Sequence, residues 1–184
     1  MPDIYQLKIS LQDAQPPIWR RFLVSKNVTL RKLHRIIQDV MGWTDTHLHE
    51  YEINGKRYGQ PEDECGDSDP DILDEAKARI GQLIVEEGSR FLYVYDFGDD
   101  WVHLLELEKI LKPEAGVKYP VCLAGERNCP PEDCGGVFGY QDFLAAFTDP
   151  THPDHEEVRE SLYEGWDPEE FDITTVNKLL WRIR

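Results

Sequence analysis

Between Phe91 and Ile110, large side chains fall on every second position on both sides of Gly98-Asp99-Asp100. Only a pleated strand sends alternate residues to one face, so this segment is bound to a sheet. Phe91, Tyr93, Tyr95 and Phe97 line one side of the first arm, and Trp101, His103 and Leu105 one side of the second. The spacing predicts a β-hairpin over 91–110 whose turn draws its positive φ from Gly98. The same alternation predicts strands over 4–11 and 18–24, separated by Gln15-Pro16-Pro17. A further strand over 47–53 runs into Asn54-Gly55, the strongest short hairpin signal, before Lys56-Arg57-Tyr58.

Between Thr29 and Gly42 the period changes. Leu30, Leu33, Ile36, Ile37, Val40 and Met41 recur at helical spacing, with Thr29 placed to cap the start and Gly42 to end the run. Strand, strand, helix, strand, strand is the order of a β-grasp half-domain. The predicted fold is therefore α+β: a β-grasp-like N-terminal half (hairpin, helix, hairpin), extended by a second hairpin, with a helical C-terminal subregion. It is read as a single domain over 1–184. Within it, 1–59 is the β-grasp-like portion, 60–75 an exposed acidic loop and 76–112 the hairpin portion, including a short strand at Arg79-Ile80 and a helical turn over 81–86. The remainder, 113–184, is an irregular Cys-containing loop followed by helices over 140–147, 153–163 and 174–183.

The chain carries 20 Lys and Arg against 36 Asp and Glu, a formal net charge of −16. The acidity is local: residues 60–75 hold eight acids and no base, and 132–172 hold 13 acids and one base, whereas 1–59 hold nine bases against six acids. Both acidic blocks read as solvated faces, and the overall sign opposes general nucleic-acid binding. A hydrophobic content of 40%, with 11% aromatics, supports a real core and excludes wholesale disorder. No apolar run approaches the roughly 20 residues of a membrane span, and MPDIYQLKIS does not read as a signal peptide. A soluble, cytoplasmic protein without membrane partners is expected.

Three groups of residues have the chemistry of a site. His47 and His49, at i and i+2 on a predicted strand with Tyr51 beyond them, are expected to project to one face, where two imidazoles suit a metal. Tyr95, Asp96, Asp99, Asp100, Trp101 and His103 crowd the predicted hairpin turn; carboxylates beside an imidazole suit a divalent cation or an acid-base pair. These nine residues form the candidate ligand pocket, because only here do apolar walls meet a few polar groups. Cys122, Cys129 and Cys134 form the third group, with Cys65 far upstream. Their spacing fits the usual zinc sites poorly; the cofactor is unknown, and zinc stays open with these three as its candidate ligands. Pro130-Pro131-Glu132-Asp133 and Gly135-Gly136 between them specify a shaped loop.

The motifs PPIWRR (16–21), the helix ending in MGW, HLHEYEI (47–53), YVYDFGDDWVH (93–103), GERNCPPEDCGGVFGY (125–140), DPTHPDHEE (149–157) and DPEEFD (167–172) occur in this order. Together they resemble the plasmid pRiA4b ORF-3-like family over nearly the whole chain. The resemblance implies one α+β domain of this length and an association with mobile elements, some members being labelled transposon passenger proteins or resolvases. It implies no particular reaction, and no serine-recombinase pattern is recognisable here.

Three functions follow as expectations. The first is a non-enzymatic interaction module, offering a sheet edge and acidic surfaces to a basic protein partner. The second is a metal-dependent hydrolase or nucleotide-processing enzyme using His47, His49, Asp96, Asp99, Asp100 and His103 around one ion, which requires those side chains to converge. The third is a DNA-binding accessory of a mobile element, for which Arg20, Arg21, Arg31, Lys32 and Arg35 are the electrostatic motive.

Overall fold

The computed structural model describes residues 2–61, 69–162 and 166–183. In chain order the elements are β1 (Ile4–Leu11), β2 (Trp19–Ser25), α1 (Leu30–Met41), β3 (His49–Ile53), β4 (Lys56–Gly59), β5 (Ile72–Asp74), α2 (Ile80–Leu83), β6 (Arg90–Tyr95) and β7 (Trp101–Leu111). They continue with β8 (Val121–Glu126), α3 (Gly136–Thr148), α4 (His155–Ser161), α5 (Ile173–Leu180) and a 3-10 turn at Trp181–Ile183. All the strands join one sheet in the order β5-β4-β3-β6-β7-β1-β2-β8, antiparallel except for the β4–β5 pair. The fold is α+β.

The 91–110 hairpin is central. β7 pairs with β1 and β6 with β3, so the hairpin lies between the two halves of the predicted β-grasp-like portion rather than beside them. Its alternation explains the position, since two strands with a continuous row of large side chains bury that row best with neighbours on both edges. Across the inner face, Tyr51 stands opposite Tyr93, Tyr93 opposite His103 and Tyr95 opposite Trp101. The outer face carries ion pairs such as Arg21–Glu108 and Arg90–Glu106.

α1 covers the inner face with Leu30, Leu33, Ile36, Ile37 and Val40, all buried, each worth about 2 kcal/mol by area burial. Thr29 caps it by accepting from the Lys32 amide, and Gly42 ends it in the left-handed region at φ 109°. Its last carbonyls are met by Arg20, a buried guanidinium that donates to the carbonyl oxygens of Val40, Met41, Trp19 and Glu126. Arg20 is thereby withdrawn from any nucleic-acid role, and Arg21 is held by Glu108 on the outer face.

Two strands lie where the sequence reads as irregular. β5 is three residues of the predicted acidic loop, and β8 falls inside the predicted Cys-containing loop. Neither shows clear alternation, because each pairs at an edge and buries little. Arg79 forms a bridge to Thr29 instead of a strand, and helix α2 begins at Ile80. Cys65 lies outside the described residues. Near its start the outer edge of β8 is not open: the Asn177 side chain of α5 accepts from the Cys122 amide at 2.9 Å and donates to the Cys122 carbonyl at 3.0 Å. A side-chain amide here takes the place of a ninth strand, the kind of protection that sheet edges require. Asn177→Ala is expected to cost about 1–2 kcal/mol in chemical denaturation. An unchanged midpoint would show that water replaces the amide.

Candidate functional site

At the end of the sheet where β6 turns into β7, three carboxylates converge on one imidazole nitrogen. His47 lies in the segment between α1 and β3, ahead of the strand predicted to contain it. Its Nε2 is 3.3 Å from Asp133 Oδ1, 3.7 Å from Asp96 Oδ2 and 3.8 Å from Glu132 Oε2. The ligand atoms of His47, Asp96 and Asp133 all lie within 4.8 Å of one another.

Two of the carboxylates are divided in their labour. Glu132 Oε1 accepts three hydrogen bonds, from the Thr44 amide (2.8 Å), the Thr44 hydroxyl (2.8 Å) and the Tyr95 phenol (3.2 Å). Its other oxygen, Oε2, is buried and has no hydrogen-bond partner. Asp96 is similar: Oδ1 accepts from the Gly98 amide at 2.9 Å, while Oδ2 faces His47. An oxygen fixed by donors beside a second oxygen left unbonded is how surrounding groups orient a metal-ligating carboxylate. Asp133 is the exposed member, with its side chain 76% exposed.

Local backbone chemistry builds this cluster. Gly98 does not carry the positive φ of the turn; Asp96 (φ 58°) and Asp100 (φ 54°) do. Aspartate tolerates the left-handed region when its carboxylate bonds a nearby amide, as Asp96 does. Asp99 Oδ2 accepts from the Gly135 amide at 3.0 Å and so ties the 96–100 turn to the loop bearing Glu132 and Asp133. Gly136 closes against the Asp99 carbonyl at φ 68°, a contact any side chain would obstruct.

The nine predicted pocket residues separate into two sets. His47, Tyr95 and Asp96 enter the cluster, and Asp99 braces it. Asp100 is exposed, its amide bonded to the Asp96 carbonyl. The other four are core. His49 does not join His47: its Nε2 bonds Glu75 Oε2 at 2.8 Å and its ring stacks on His34 at 3.5 Å. Tyr51 donates to the Leu30 carbonyl, Trp101 packs on Trp43, and His103 accepts from the Trp43 indole at 3.1 Å. The i, i+2 expectation fails because β3 starts only at His49, which leaves His47 free of the pleat. Glu132 and Asp133 were absent from the predicted pocket. Their signal was the Pro130-Pro131 pair, which fixes the backbone of an otherwise irregular loop.

The cysteines form no comparable group among the described residues. Burial pushes the thiol of Cys122 up to about 11 and that of Cys134 to about 12, and raises that of Cys129 well above its ordinary value. Without a metal, burial keeps all three in the thiol form.

Comparisons with known proteins cover most of the chain. Over 158 residues it is 36% identical to the uncharacterized protein y4hQ of Sinorhizobium fredii (strain NBRC 101917 / NGR234), covering 85% of this chain and 79% of that protein. Its fold matches the crystal structure of MM3350, a protein of unknown function from Methanosarcina mazei Go1, with a TM-score of 0.84 and 38% identity over 95% of this chain and 98% of that one. The family model described as plasmid pRiA4b ORF-3-like protein matches residues 3–175, and the chain belongs to that family.

Proposed function

We propose that this protein binds one divalent cation through His47, Asp96 and Asp133, with Glu132 beside the same imidazole, and uses it to activate water for hydrolysis. The observation that carries the reading is the buried, unbonded Oε2 of Glu132, aimed with Asp96 Oδ2 at the same imidazole nitrogen. Ligands about 2.1 Å from an ion sit roughly 3–4 Å apart, which is the spacing around His47. One nitrogen and up to three carboxylate oxygens suit borderline to hard ions such as Zn²⁺, Mn²⁺ or Fe²⁺. Such an ion lowers the pKa of a bound water toward neutrality and polarises a substrate oxygen. The exposed side of Asp133 leaves room for that water. Leu48 and Phe97, which follow His47 and Asp96 in the chain, are large exposed hydrophobics at the rim and favour a substrate with an apolar group. This reading stands ahead of an interaction module because the cluster around His47 is a specific geometric site, whereas on the β8 edge the Asn177 amide already takes the backbone groups of Cys122.

The test is calorimetric titration of chelator-treated protein with Mn²⁺ and Zn²⁺. One site per chain is expected, weakened at least about tenfold by His47→Ala and by Glu132→Gln. No saturable binding of either ion, or equal binding by both variants, overturns the proposal.

A further inference from the structure

Away from the carboxylate cluster, the N-terminal half of α1 borders two adjoining cavities of about 360 and 310 Å³ that share Thr29 and Lys32. The first is lined by Arg31, Lys32 and Arg35 of α1 and by Arg182 of the C-terminal 3-10 turn. Arg79, just ahead of α2, lines the second. No Asp or Glu lines either one, in a chain with 36 acids. Five cations from three separate stretches of sequence thus meet on a protein of net charge −16.

Their own compensation is thin. Arg31 lies 3.4 Å from Glu75, and Asp39 faces Arg182. Arg79 donates to the Asn27 carbonyl. Among the described residues, no ion pair is formed by Lys32 or Arg35. Arg31 and Arg35 are i, i+4 and Lys32 and Arg35 i, i+3, spacings at which like charges destabilise a helix. A compact anion in the cavity relieves that repulsion. Beside it, Val24, Val28, Ile36, Tyr119 and Pro120 give the second cavity an apolar wall.

We propose that these joined cavities bind a small organic oligophosphate of the nucleotide class, its phosphates on Arg31, Lys32, Arg35 and Arg182 and its organic part against the wall formed by Ile36 and Tyr119. Guanidinium groups pair with phosphate oxygens through two parallel hydrogen bonds, and the volumes fall within the small-ligand range. A long polyanion fits worse, because its further phosphates would meet the net negative charge of the remaining surface.

ATP is the probe, titrated calorimetrically at low salt with EDTA present, so that the cation site plays no part. Saturable 1:1 binding is expected, weakened at least about tenfold by the double variant Lys32→Ala/Arg35→Ala and again by Arg182→Ala on a separate element. These side chains are exposed, and an unchanged thermal midpoint establishes that the variants are folded. No saturation by about 1 mM ATP, unchanged affinity in both variants, or tighter binding of a 20-base-pair duplex than of ATP overturns the proposal.

Discussion

Lowering the pH from 7 to 4 is expected to remove about 6 kcal/mol of folding stability through two buried histidines alone. His103 is fully buried. It accepts from the Trp43 indole on Nε2 and faces the Tyr93 carbonyl with Nδ1, at 3.3 Å, so the neutral ring satisfies both neighbours. A second proton on Nε2 would point at the indole N–H. Burial accordingly drives its pKa down to about 4. His34 is also pushed to about 4, first by burial and then by the His49 ring stacked on it, while its bond to Asp45 works in the opposite direction. Gln38 donates to the Tyr93 hydroxyl, leaving the phenol proton for His34 Nδ1 and the imidazole proton for Asp45.

The sign follows from these shifts. The unfolded chain takes up a proton on each ring near pH 6.5 and the folded chain only near 4, so stability falls as pH drops through that window, by about 3 kcal/mol per ring. Glu75 adds to the loss at the acid end. Burial alone would raise its pKa, but the His49 bond and the nearby His34 and Arg31 outweigh burial and hold it below the ordinary value. Its contribution is present above its unfolded pKa and disappears as pH falls through the folded one. Against a typical total of about 5–15 kcal/mol, the combined loss brings the protein near unfolding by pH 4. Denaturant midpoints at pH 7, 5.5 and 4.5 check this, and equal midpoints at pH 7 and 5.5 would contradict it.

Glu75→Ala is the single substitution expected to be most damaging, at about 3–5 kcal/mol. The Glu75 side chain is 0% exposed, bonded to His49 at 2.8 Å and within 3.4 Å of Arg31. Its backbone also joins β4 to α1, the amide donating to the Gly59 carbonyl and the carbonyl accepting from the Arg31 amide. Removing the carboxylate leaves a buried imidazole without its partner and an arginine without its counter-charge. Glu75→Gln keeps an acceptor for His49 and should lose distinctly less. Chemical denaturation of the two variants side by side measures the difference, and equal losses would mean that the charge contributes nothing.

Glu75 also marks where reading along the chain stops being informative. It is the last of eight acids in a stretch whose composition says solvent, yet just past β5 it is fully buried, the one such acid of that stretch among the described residues. Composition averages over a segment, whereas burial is decided residue by residue once strands pair. The candidate site has the same character. Asp96 and Asp99 were legible as turn aspartates and His47 as a metal-binding type, but the partners of His47 come from residues 132–133, brought in by the Asp99–Gly135 bond.

What the sequence determined by itself is the local structure whose period lies within one segment: the strands at 4–11 and 91–110, α1 with its Thr29 cap and Gly42 stop, and the inner-face aromatics. Each is a relation between residues two to four apart, which backbone geometry alone imposes. The tertiary structure alone decided which hairpin stands at the centre of the sheet, that His49 and His103 are core groups while His47 faces three carboxylates, and that cations from α1 and the C-terminal turn share a cavity. Those are relations between residues far apart in the chain. They are fixed by which strand edges pair and which buried polar groups find partners, and no periodicity encodes either.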